Sequence, residues 1–197
     1  YSSAASDVYK RQVAAHCVQL SDEDIDILAE RGVYAATNPI SNAKLGNGFA
    51  RIPDMLDKGV KLCIGTDSAG SNNTLNMFSD MNFICLAHKG KRRSATAVSA
   101  RQALKMATET GAKALGFDNT GTLKEGYAAD LTVMDMKYPS LQPVNDSVAA
   151  MCYSASGYEV ESVMVDGEFL MENREIKGMD EERIYFECNK AMKRIDG

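Results

Sequence analysis

The chain has 197 residues, 45% of them hydrophobic, with 22 basic and 27 acidic side chains and a net charge of -5. That length and apolar content suffice for a buried core in one domain, or one and a part. The acidic balance, with no basic block longer than residues 89–93, excludes nucleic acid as the principal partner.

The cysteines Cys17, Cys63, Cys85, Cys152 and Cys188 form no CxxC pair, which argues against a disulfide framework or a structural zinc knot. Free thiols in a reducing compartment follow. No apolar run approaches the ~20 residues of a membrane span, so no membrane partner is expected. The first residues lack the apolar core of a secretory signal, and the cytoplasm is the expected location.

Residues 1–12 show no usable period and read as a non-native leader, so the native part is expected to begin in mid-protein at Val13. Residues 13–18 predict a short buried strand. Ser21 and Asp24 have capping-box spacing, Ile25, Leu28 and Ala29 share a helical face, and Gly32 closes that helix. Residues 33–37 predict a second strand, stopped by Asn38-Pro39 and followed by a polar loop over 40–48. A helix over 52–58 leads through Gly59 to a third strand over 60–64, whose continuous apolar run indicates burial on both faces. This alternation signals βαβ units and a parallel sheet.

A helix is predicted over 74–87, anchored by Leu75, Phe78, Phe83 and Leu86, then a solvated loop over 89–93 and one alanine-rich helix over 99–115. From Gly121 the pattern becomes turn-rich. Residues 129–135 read as a strand, and Asp166-Gly167 joins two more as a tight turn. A final helix over 180–194 carries Ile184, Met192 and Ile195 on its apolar side.

Asp67 stands just past the third strand's carboxyl end, the face where α/β barrels place their active sites. On position alone it is either a catalytic acid or a turn and helix cap. His16 is similarly open between a site residue and a hydrogen-bonded core histidine, and Ser71 between a ligand contact and a helix N-cap. His88 reads as a solvated helix-end residue, and the methionines as core filler.

The stretches Ala15-His16-Cys17-Val18, Asn38-Pro39-Ile40-Ser41-Asn42-Ala43-Lys44-Leu45 and Gly65-Thr66-Asp67-Ser68-Ala69-Gly70-Ser71-Asn72-Asn73 occur in order. Together they resemble the last three βα units of the amidohydrolase superfamily barrel, in particular its 5-methylthioadenosine/S-adenosylhomocysteine deaminases and their chlorohydrolase relatives. Gly121 to Leu131 resembles the approach to the small β-sandwich that accompanies such barrels, so the likeness runs from about Val13 to the C-terminus.

The resemblance implies an α/β fold: the C-terminal part of a metal-dependent (β/α)8 TIM-like barrel, about its last three βα units. Part of a small β-sandwich and a terminal helix follow. The implied division is 1–12 leader, 13–118 partial barrel, 119–178 sandwich segment and 179–197 terminal helix. The implied chemistry is hydrolytic deamination, in which water activated by one divalent metal, zinc or alternatively iron, displaces ammonia from a purine nucleoside such as methylthioadenosine or S-adenosylhomocysteine.

Other aminated heterocycles, guanine or a triazine, and a non-catalytic assembly module are the rival readings. In this scheme Asp67 binds the metal and takes the proton of the bound water, as a hard anionic oxygen donor can. His16 hydrogen-bonds the attacking hydroxide, and Ser71 lies near the heterocycle. By analogy the full-length parent is a homo-oligomer.

Gln19 and Thr37 stand where family members often carry further histidines. With only two histidines, His16 and His88, the family's first-strand His-x-His pair and the His and Glu near its fifth strand have no counterpart. The chain is therefore expected to be a fragment that binds no catalytic metal tightly and has no activity alone.

Overall fold

A computed structural model of the chain describes residues 12–195. The expected leader, apart from Gln12, lies outside the described residues. Strand β1 (Val13–Ala15), helix α1 (Asp22–Arg31), strand β2 (Tyr34–Thr37), helices α2 (Pro39–Lys44) and α3 (Ile52–Asp57) and strand β3 (Lys61–Ile64) follow in order. The strands form a parallel sheet β1-β2-β3, with Ala14 opposite Ala35 and Ala36 opposite Cys63. Each parallel step needs a crossover, and α1 and α3 return the chain to the amino end of the sheet.

The capping box is formed: Asp24 N donates to Ser21 Oγ at 3.1 Å and Ser21 N to Asp24 Oδ2 at 2.9 Å. Gly32 ends α1 with a left-handed φ of 64°. Leu62, Cys63 and Ile64 are all buried, as a strand covered on both faces requires.

Four local expectations are corrected. Strand β1 stops at Ala15: His16 N still donates to Ala36 O at 2.7 Å, but His16 and Cys17 turn left-handed (φ 66° and 53°) and the pairing goes no further. The loop expected over 40–48 begins with helix α2, in which Pro39 sits at the first turn, where a missing N–H costs nothing. Helix α4 (Ala69–Asn72) precedes α5 (Met77–Arg92), which starts at the Asn76 cap and runs through the basic residues expected as a loop. Those cations favour a helix C-terminus, and Arg93 (φ 50°) closes it. The helix expected over 99–115 is two, α6 (Ala100–Ala107) and α7 (Glu109–Ala114), broken at Thr108, whose hydroxyl donates to Leu104 O at 2.8 Å.

The buried face of α5 is Met81, Ile84, Cys85 and His88, at helical spacing, whereas Leu75 and Leu86 are 71% and 53% exposed. His88 is thus a core residue rather than a solvated one, its ring edge-on to Phe49. Helix α8 (Ser147–Tyr153), capped by Asp146, was not anticipated; it brings Cys152 to 3.7 Å from Cys85, sulfur to sulfur.

The chain divides into two compact units, one of residues up to 128 with 135–159, the other of 129–134 with 160 onward. The segment expected as one piece over 119–178 is therefore shared between them, because β4 (Leu131–Met134) pairs antiparallel with β5 (Val160–Val165). Strands β6 (Glu168–Glu172) and β7 (Glu175–Ile176) complete a four-stranded sheet, β4-β5-β6-β7.

The Asp166-Gly167 turn has φ 49° and 84°, the positive pair that a tight hairpin requires. Helix α9 (Glu181–Ile195) is the last described element, with Ile184, Met192 and Ile195 45%, 54% and 76% exposed rather than packed. Among the described residues no helix is long and apolar enough to cross a membrane.

Candidate active site

The carboxyl ends of β1, β2 and β3 bring His16, the Asn38–Asn42 turn and Asp67 together. Both His16 and Asp67 hold left-handed backbone, φ 66° and 62°. For side chains other than glycine that conformation costs of order 1 kcal/mol or more, and it persists where the surroundings over-determine it. Here they do. Asp67 Oδ2 accepts from Ser41 Oγ at 2.7 Å and Oδ1 from Ser68 N at 2.8 Å. These donors, Ser41 first, with Ser71 and the nearby His16 adding to them, hold the Asp67 carboxyl below its ordinary range. The group is therefore a carboxylate near neutral pH, able to take a proton or a cation.

His16 Nδ1 lies 2.9 Å from Asn42 Oδ1 and 3.2 Å from the Asn38 amide. Asn38 and Asn42 are both buried, and Asn42 Nδ2 has no hydrogen-bond partner among the described residues. His16, Gln19, Asn42 and Asn47 line a hollow of about 520 Å³ beside the strand ends.

A buried carboxylate ties this rim together. Asp80 accepts from Ile40 N at 3.2 Å and from Asn72 Nδ2 at 3.0 Å, while Asn72 also donates to Thr66 O at 2.7 Å. Asp80 therefore links the turn carrying Ser41 to the loop carrying Asp67. Burial pushes its carboxyl upward, and the two donors oppose that.

Ser71 is not the helix N-cap; Ser68 is, accepting from Ser71 N. The Ser71 hydroxyl donates to Ser68 O at 3.2 Å. Gln19 donates to Asn47 O at 3.4 Å, and Thr37 is buried. Sequence reasoning quoted Asn38, Ser41 and Asn42 without giving them roles. The available signal was a run of small polar residues directly after a buried strand.

As a metal site the described residues are incomplete. Both Asp67 oxygens already have donors, and no group of three His, Cys, Asp or Glu side chains gathers to hold an ion among the described residues. A catalytic zinc takes three protein ligands. These residues do not make such a site by themselves.

The three-stranded parallel sheet carries a carboxylate and an imidazole at its carboxyl ends, the side on which α/β barrels place their active sites. The chain belongs to the amidohydrolase family, whose sequence model matches residues 3–170. It is 48% identical over 184 residues to a 5-methylthioadenosine/S-adenosylhomocysteine deaminase of Acetivibrio thermocellus, covering 93% of this chain and 43% of that protein.

Identity to a 5'-deoxyadenosine deaminase of Methanosarcina mazei is 45% over 183 residues, covering 93% and 42%. Among solved structures, an adenosine deaminase from Xanthomonas campestris with bound zinc superposes with a TM-score of 0.91 at 34% identity, covering 93% of this chain and 42% of that one. The chain thus spans about two fifths of the length of the curated relatives it matches.

Proposed function

We propose that the chain is the carboxylate-bearing part of a hydrolytic deaminase acting on a purine nucleoside of the methylthioadenosine or S-adenosylhomocysteine kind. The observation that carries this is Asp67, a carboxylate on strained backbone at the end of β3, held by Ser41 and Ser68. The names of the two curated relatives above, a 5-methylthioadenosine/S-adenosylhomocysteine deaminase and a 5'-deoxyadenosine deaminase, support the substrate class.

In the reaction, water adds to the ring carbon bearing the amino group, that carbon–nitrogen bond breaks, and ammonia leaves. Asp67 accepts a proton from the attacking water and delivers it to the departing nitrogen. His16 hydrogen-bonds the attacking oxygen, and Ser71 lies beside the heterocycle. The zinc named for the Xanthomonas structure suggests a divalent metal with Asp67 as one ligand, its other ligands coming from outside the described residues. The proposed division is a partial barrel over 13–118 and a sandwich-type unit built on strands β4 to β7 and followed by helix α9, in a cytoplasmic homo-oligomer when full length.

The test is a chimera in which residues 13–195 replace the matching segment of the Acetivibrio deaminase. Ammonia release from S-adenosylhomocysteine, methylthioadenosine and 5'-deoxyadenosine supports the reading. Release from guanine or an aminotriazine alone moves the substrate to another aminated heterocycle. A folded chimera inert on all five refutes a deaminase.

A further inference from the structure

We propose that Asn38 and Asn42 are positioning residues that hold His16 as its Nδ1–H tautomer, leaving Nε2 as the basic atom of the ring. Backbone atoms force the assignment. One end of the Asn38 amide faces Thr37 O and Gly65 O, both of which can only accept. With its nitrogen on that side, Asn38 donates to Gly65 O at 3.2 Å and Thr37 O at 3.1 Å, and its oxygen lies 3.2 Å from His16 Nδ1. With its oxygen there, three acceptors face one another inside a buried site.

The Asn38 oxygen therefore meets His16 Nδ1, and the pair is a hydrogen bond only if Nδ1 carries the proton. Asn42 Oδ1, at 2.9 Å from the same nitrogen, is a second acceptor for that N–H. Gly65 keeps the place of the amide: a Cβ there would come within 2.7 Å of the Asn38 side chain.

The consequence concerns the reaction proposed above, on which the functional part of the inference rests. A neutral His16 offers Nε2 only as an acceptor, so it receives a hydrogen bond from the attacking water and donates none. Together with Asp67 the water then meets two acceptors, which orients its lone pair toward the carbon under attack. His16 becomes a donor, able to stabilise negative charge on oxygen, only after it has itself been protonated.

The experiment is 15N NMR of the 197-residue chain labelled at histidine, with long-range ring correlations read above the titration of both rings. The chain has only two histidines, and a His16→Gln variant identifies the His16 signals. The expected spectrum has a protonated, pyrrole-type Nδ1 and a pyridine-type Nε2 at His16. Asn42→Asp, which keeps an acceptor oxygen, preserves that pattern. The Asn38→Ala/Asn42→Ala double variant moves it toward the Nε2–H form.

A wild-type His16 in the Nε2–H form, or with the averaged shifts of an unheld imidazole, overturns the proposal. So does a double variant with an unchanged spectrum, and the wild-type spectrum decides if the double variant does not fold. None of these readouts depends on turnover, so failure of the deaminase reading leaves the tautomer result standing.

Discussion

Ser41 and Asp67 come from successive βα units, 26 residues apart in the chain, and meet hydroxyl to carboxylate at 2.7 Å. The neighbour of Ser41, Asn42, holds His16 at 2.9 Å. One short turn after β2 therefore positions the acid from β3 and the imidazole from β1. That is why two residues on strained backbone can keep a fixed relation.

The Ser41→Ala change tests this turn. It deletes the shortest donor to Asp67 and leaves the fold's apolar contacts in place. In the chimera, kcat falls on the order of tenfold while KM changes little, as expected for a group that orients the acid rather than the substrate. A matching rise in KM with kcat unchanged would place Ser41 in substrate binding instead.

Asp80 is the strut beneath the rim. Its replacement by alanine takes the acceptor from Ile40 N and one of the two acceptors from Asn72 Nδ2, at a side chain that is itself fully buried. Losing two such bonds costs about 2–4 kcal/mol. Urea unfolding of Asp80→Ala checks it, and an exposed control such as Asp57→Ala shifts the midpoint little.

Gly65 has a steric reason to be glycine. An added Cβ would lie 2.7 Å from the Asn38 side chain, which is itself buried between Thr37 O and Gly65 O. Gly65→Ala is expected to destabilise by about 1–3 kcal/mol, as overpacking does. Thermal denaturation reads that loss.

His88 makes stability depend on pH. Burial first, then Lys91 and Arg92, push its ring down to about 4, with Asp54 opposing and Phe49 packed edge-on against it. The unfolded chain, with an ordinary value of about 6.5, takes up a proton that the native ring refuses. This contribution is complete above about pH 6.5 and is lost as pH falls from there toward 4. His88→Phe removes that part of the slope. Between pH 7 and pH 4.5 it should lose on the order of 2 kcal/mol less than wild type in urea melts.

Periodicity found what periodicity can find. The three parallel strands, helix α1 with its capping box and the Asp166-Gly167 hairpin each carry a local signal, and each formed. His88 was misread because a histidine beside four basic residues looks like surface, and only the Met81, Ile84, Cys85 spacing shows that it shares their buried face. Thr108 broke a helix that alanine content alone would continue.

The candidate site was legible at Asp67 and His16, which stand at strand ends. Asn38, Ser41 and Asn42 were not, because their roles depend on partners 22 to 26 residues away. Small polar side chains take their meaning from what they face, and that is set by the sheet register.

The most direct test is Asp67→Asn in the chimera with S-adenosylhomocysteine. The amide keeps the size of the side chain and can no longer take a proton from water. Ammonia release should fall by about 10³-fold or more with the fold intact by circular dichroism. An Asp67→Asn chimera that retains its rate to within about tenfold would contradict the account, because proton transfer worth so little cannot be the step this carboxylate performs.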